Sequence, residues 1–155
     1  MILLALGSNL GRREDFLAQA RLALAAFDIA IIAESAIHET PALLPEGAPP
    51  EWNIPYLNQV IAVTTHLAPA ELLYCLQHIE QELGRAPRAR WAPREIDLDL
   101  LAYDDVLMVS DALTLPHPQM DVRAFVLKPI AEIAPDWRHP VFEKTAREML
   151  MEMMA

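Results

Sequence analysis

Three features of the sequence predict an α+β fold with a ferredoxin-like βαββαβ core, an antiparallel sheet carrying two helices on one face, and helical additions at the C-terminus. Apolar residues recur at helical spacing in two stretches, within 12–27 and within 69–83. Branched apolar runs precede, separate and follow those stretches. Two of the runs are neighbours in the chain, joined only by a loop, so they can pair antiparallel.

Taken in order, Ile2-Leu3-Leu4-Ala5-Leu6 is the first strand. Met1 enters it without a basic flank or a small-residue cleavage site, which reads as a buried strand and not a signal peptide. The strand ends at Gly7-Ser8-Asn9-Leu10-Gly11, which has the look of a phosphate loop but lacks the P-loop lysine and the dinucleotide spacing. A turn with a helix N-cap accounts for it. Phe16, Leu17, Ala20, Leu24 and Phe27 form the stripe of the first helix. Residues 29–38 and 57–67 read as the second and third strands. The loop between them, Pro41 to Pro55, holds five of the thirteen prolines. Its length exceeds most connections in compact domains and predicts a lid or substrate-binding loop. Pro69 opens the second helix, Leu72, Leu73, Leu76, Ile79 and Leu83 form its stripe, and Gly84 sits where a C-terminal cap belongs. The fourth strand covers about 96–102. A helix near 122–133 and another from Glu143 onward complete the chain, the methionines of the tail reading as core filler.

At 155 residues the chain fits a single domain, 1–155. A 54% hydrophobic and 22% charged composition excludes a disordered chain, and no apolar run approaches the roughly 20 residues a membrane helix needs. The lone cysteine, Cys75, reads as a core thiol, and a reducing cytoplasm is the expected compartment. A net charge of -10 argues against nucleic-acid binding. Nothing in the sequence calls for a partner chain, so a monomer is the default.

The positive charge is concentrated. Arg85, Arg88, Arg90 and Arg94 supply four of the twelve basic residues within ten positions, which points to a small polyanion, because guanidinium forks grip phosphate oxygens in pairs. In an extended strand Asp97 and Asp99 leave the same face about 6.5 to 7 Å apart, a placement suited to magnesium, although a solvated strand face shows the same spacing. Two carboxylate–arginine pairs would still leave arginines over. Trp91 either packs in the core or covers a nucleotide pocket. Gln77 and Glu80 stand three apart on the second helix, facing the same way just before Arg85. His117, held between Pro116 and Pro118 and followed by Arg123, is an exposed candidate for phosphate contact or a structural turn. His38, His66, His78 and His139 show no metal-ligand spacing.

The ordered blocks ALGSNLG, ETPALL, YLNQV, ELGRAPRARWAPREIDLDLL, LPHPQM, RAFVL and EIAPDW closely resemble the 6-hydroxymethyl-7,8-dihydropterin pyrophosphokinases of folate biosynthesis, over residues 3 to 140. The resemblance implies transfer of the β,γ-diphosphate of ATP to the hydroxymethyl group of a reduced pterin, releasing AMP. It implies that Asp97 and Asp99 hold two magnesium ions. Gln77, Glu80, Arg85, Arg90, Trp91, Arg94, His117 and Arg123 fall on the nucleotide side, with Arg85 and Arg94 nearest the phosphates and Arg88 the alternative to Arg90. Thr40, Pro41, Leu43, Tyr56, Asn58 and Phe125 fall on the pterin side, where an aromatic face and an amide suit a flat, hydrogen-bonding heterocycle. Two other classes fit the residues less well. Nucleotidyltransfer places its Gly-Ser pair shortly before the aspartates, whereas Gly7 and Asp97 lie far apart, and a noncatalytic ligand-binding domain leaves the aspartates and arginines without a task.

Overall fold

Strand β1 (Ile2–Ser8) sends Ile2, Leu4 and Leu6 into one core and Leu3 and Ala5 into another, because its sheet is covered on both faces. That explains why the strand reads as an unbroken apolar run. The structure is a computed structural model and describes residues 1–155. After β1 come α1 (Arg13–Leu24), β2 (Ala30–Glu34), β3 (His38–Thr40), β4 (Tyr56–Thr64), α2 (Pro69–Glu82), β5 (Asp97–Tyr103), the short β6 (Met108–Val109) and β7 (Thr114–Leu115), α3 (Ala124–Ile133) and α4 (Ala146–Met154). The main sheet has the order β2-β4-β1-β5 with every pair antiparallel, and β3 also lies on β4, so the predicted βαββαβ core is present. No helix is long and apolar enough to cross a membrane.

Helices α1 and α2 cover one face, where Leu17, Leu24, Leu72, Cys75, Leu76 and Ile79 pack with Leu4, Leu6, Ile61 and Leu98. Cys75 is therefore a buried core thiol. The opposite face is covered by α3 and α4, through Val126, Ile130 and Ala146 against Leu3, Val60, Ala62 and Leu101. The C-terminal helices are thus a third layer with its own core.

Four expectations need correction. The run 29–38 is two strands, not one. Ser35 breaks it: its N–H donates to the Val60 carbonyl (2.9 Å) while its Oγ accepts from the Val60 N–H (3.0 Å), so the side chain replaces a ladder bond and the backbone steps aside before β3. The third strand ends at Thr64, and the last helix starts at Ala146, where Thr145 caps it by accepting from the Glu148 N–H at 3.1 Å. The Gly7–Gly11 turn supplies no N-cap: α1 begins after Arg12 with no side-chain cap.

The ends of α2 follow its sequence. Pro69 is its first residue and Glu71 reaches back to accept from the Ala68 N–H at 2.9 Å. At the other end Gly84 takes φ +94, and the Gly84 and Arg85 N–H groups donate to the Gln81 and Glu80 carbonyls at 3.1 and 3.0 Å. This is a Schellman closure, which turns Arg85 back toward the sheet.

Candidate active site

Sheet register assembles one wall of a cleft of about 240 Å³. Asn58, Gly7 and Asp97 pair across β4, β1 and β5, and the next row on the same face is Val60, Ala5 and Asp99. Strands spaced by about 4.8 Å put Asn58 and Asp97 roughly 10 Å apart, with only glycine between them. A Cβ on Gly7 would stand 3.3 Å from Asn58 Oδ1, a tight contact that would make the amide give by a few tenths of an ångström, and would touch Tyr56 Cδ1 at 3.4 Å. Phe125 and Val126, at the start of α3, complete the floor.

Thr40, Pro41, Leu43, Tyr56, Asn58 and Phe125 all line this cleft, and so do Arg90, Trp91, Arg94, Asp97, Asp99, His117 and Arg123. Asn58 Nδ2 donates to Thr40 Oγ1, which fixes the amide's orientation. Burial and the charge of Asp97 raise the Tyr56 pKa, so it remains a neutral phenol. Burial, aided by Arg123, lowers the His117 pKa, and Nδ1 accepts from the Gln119 N–H at 3.3 Å, leaving the proton on Nε2. His117 is half-buried rather than exposed, and follows a cis Leu115–Pro116 bond.

Gln77, Glu80 and Arg85 do not line the cleft, and Gln77 and Glu80, although three apart on α2, differ in burial. Gln77 is exposed, whereas Glu80 is buried and accepts from Arg85 Nη1 and from the Leu98 N–H (2.8 Å). Behind the cleft, Arg85 Nη1 also reaches Asp97 Oδ1 at 3.2 Å. Arg94 Nη1 lies 3.5 Å from the same oxygen, and Arg88 pairs with the buried Glu95 at 2.6 Å. Arg90 has no carboxylate partner. Its guanidinium lies 4.9 Å from the centre of the Trp91 ring, and Trp91 sits at φ +76, a conformation costing a bulky residue on the order of 1–3 kcal/mol. Trp91 is on the cleft rim, not in the core.

Asp97 and Asp99 fit a divalent cation. Burial, then the charges of Asp97 and Glu80, hold Asp99 at about pKa 7 against the opposing pull of Arg94 and Arg123. A carboxylate so costly to ionise is one a cation would stabilise. No three His, Cys, Asp or Glu side chains gather into a metal cage.

The sequence reading missed Gly7, Ala5 and Val126 as cleft residues and Glu95 as the partner of Arg88. It also missed Asn9, which is 1% exposed and bonded to both Arg94 and Ile54. A glycine followed by a buried-type polar pair at a strand end was the available signal.

The family described as 7,8-dihydro-6-hydroxymethylpterin-pyrophosphokinase (HPPK) matches residues 3–135. The chain is 42% identical over 152 residues to the 2-amino-4-hydroxy-6-hydroxymethyldihydropteridine pyrophosphokinase of Methylorubrum extorquens, covering 97% of this chain and 91% of that protein. It is also 42% identical over 136 residues to the folate synthesis bifunctional protein of Chlamydia trachomatis, covering 86% of this chain but only 30% of that longer protein. Among solved structures, wild-type Plasmodium falciparum HPPK-DHPS matches with a TM-score of 0.72 at 15% identity, over 97% of this chain and 44% of that one, a likeness of fold.

Proposed function

The chain belongs to the 7,8-dihydro-6-hydroxymethylpterin-pyrophosphokinase family, and on that premise we propose that it transfers the β,γ-diphosphate of ATP to the hydroxymethyl group of 6-hydroxymethyl-7,8-dihydropterin. The observation that carries this reading is one cleft in which Asp97 and Asp99 stand between an arginine wall and an aromatic, amide-bearing wall. The pterin lies against Tyr56 and Phe125 and pairs with Asn58 and groups beside Thr40. ATP lies along Arg90, Arg94, His117 and Arg123, with Trp91 over it. Arg90, free of a carboxylate partner, meets the phosphates in preference to Arg88, which Glu95 engages. Gln77 and Glu80 belong to the same nucleotide side, Glu80 acting by holding Arg85.

In the reaction the pterin hydroxyl oxygen bonds to the β-phosphorus, the bond from that phosphorus to the α,β-bridging oxygen breaks, and AMP departs while the hydroxyl proton is released. The protein's share is positioning and neutralisation of charge. Arg94 stabilises the phosphoryl oxygens from the cleft, and Arg85, behind it, acts through Asp97, whose Oδ1 it reaches at 3.2 Å. Asp97 and Asp99 would hold two magnesium ions brought with ATP, which supply charge neutralisation and alignment of the phosphates. The arginine segment and the Pro41 to Pro55 loop close over the substrates and exclude water as a competing acceptor. We place this activity in a cytoplasmic monomer acting as one catalytic domain.

The test is an AMP-release assay with magnesium, ATP and the reduced pterin, with the pterin product identified. AMP and pterin diphosphate are expected, and Asp97→Ala or Asp99→Ala should lower turnover by about a hundredfold or more. Nucleotide binding without AMP formation would overturn the reading.

A further inference from the structure

Asn9 follows β1 in a turn that touches both walls of the cleft, yet it does not line the cleft itself. Its backbone N–H donates to the Arg94 carbonyl at 3.1 Å, and its Oδ1 accepts from the Arg94 N–H at 2.8 Å. This two-point contact fixes both the position and the rotation of the Arg94 backbone, whose guanidinium lies 3.5 Å from Asp97. The other half of the same amide, Nδ2, donates to the Ile54 carbonyl at 3.0 Å. Ile54 stands two residues before Tyr56, which packs over Gly7 on the opposite wall. At 1% exposure, water does not compete for these bonds.

Only a side chain with an acceptor and a donor on one rigid plane can serve both walls: a carboxylate only accepts, and an aliphatic chain does neither. We propose that Asn9 is a positioning residue for the transfer reaction, setting the separation between the arginine wall and the acceptor wall through the two ends of its amide. The proposal rests on the pyrophosphokinase reading, because it assigns nucleotide to the Arg94 side and pterin to the Tyr56 side.

The two ends can be separated by mutation of the 155-residue chain. Asn9→Ala loses both bonds, and kcat/KM for both substrates should fall about tenfold to a hundredfold, as sub-ångström displacement of reacting groups does. Asn9→Asp keeps the acceptor for Arg94 but loses the donor to Ile54. Its KM for ATP should stay within about twofold of wild type while its KM for the pterin rises about tenfold, because the Ile54 carbonyl would face a buried carboxylate oxygen and the Tyr56 wall would shift. Loss of thermal stability with both KM values and kcat unchanged would reduce Asn9 to a structural residue, and a rise in the ATP KM alone for Asn9→Asp would also overturn the proposal. Should Asn9→Ala not fold, hydrogen exchange on the wild-type protein decides: pterin alone should slow exchange at the Arg94 amide as well as at residues 53–56, and protection confined to 53–56 counts against it. AMP release by the wild type, measured alongside, reports separately on the underlying reaction.

Discussion

Asp99 has like charges in Asp97 and Glu80, opposite ones in Arg94 and Arg123, and enough burial that the arginines lose, leaving its pKa at about 7 against an ordinary 3.8. A carboxyl raised on folding contributes stability that is complete below pH 3.8 and is lost as pH rises through about 7. Asp99→Asn should therefore raise the melting temperature of the metal-free protein more at pH 8 than at pH 5, while removing the stabilisation that magnesium and ATP give the wild type. Thermal scans at the two pH values check this, and a pH-independent difference would mean that Asp99 ionises freely. The shared face of Asp97 and Asp99 was legible in the sequence because strand geometry alone creates it. Asn9, Glu95 and the burial of Glu80 were not. Asn9 meets Arg94 and Ile54 from 85 and 45 positions away, and Glu80 is buried by its contacts with Arg85 and β5, so helical spacing alone mistakes it for a solvated residue.

The segment from Gly84 to Asp97 carries four arginines whose environments differ. Arg85, Arg88 and Arg94 each meet a carboxylate, whereas Arg90 meets only the Trp91 ring. Arg90→Ala should raise the KM for ATP about tenfold, in keeping with a lost charge-assisted hydrogen bond. Arg88→Ala should change it much less and mainly lower thermal stability by freeing the buried Glu95. Equal KM effects would show that the Arg88–Glu95 pair opens during turnover. The helix leading into this segment was readable because Pro69 and Gly84 mark its ends by local backbone chemistry. The break at Ser35 was not, since its hydroxyl stops the strand by bonding to Val60 across the sheet, and a run of branched residues contains no sign of that partner.

At the level of the molecule, one sheet separates a core that serves stability from a core that also floors the cleft. Leu76 is fully buried between α2 and the sheet, and Leu101 is buried under α3 beside Asp99. Leu76→Ala and Leu101→Ala should each cost about 2–5 kcal/mol in denaturant unfolding. Leu76→Ala should leave both KM values near wild type at temperatures where it stays folded, whereas Leu101→Ala should raise them, because Leu101 lines the cleft. The four-strand order was predictable from alternating local periodicities. The third layer was foreseen only as helical additions: the stripes of α3 and α4 reveal an apolar face without saying which side of the sheet receives it.

The chain has three tryptophans, and their placements differ. Trp137 packs into the core beneath α3 and α4, Trp52 lies in the Pro-rich loop, and Trp91 stands 36% exposed on the rim beside a guanidinium. Closure of the arginine segment over nucleotide would dehydrate the Trp91 indole. In a Trp52→Phe, Trp137→Phe background, its emission should then move to shorter wavelength and resist acrylamide quenching, and an unchanged spectrum with bound nucleotide would argue that the rim stays open. The indole that shapes the rim thus serves as a built-in optical gauge, able to time the conformational step separately from the chemical one.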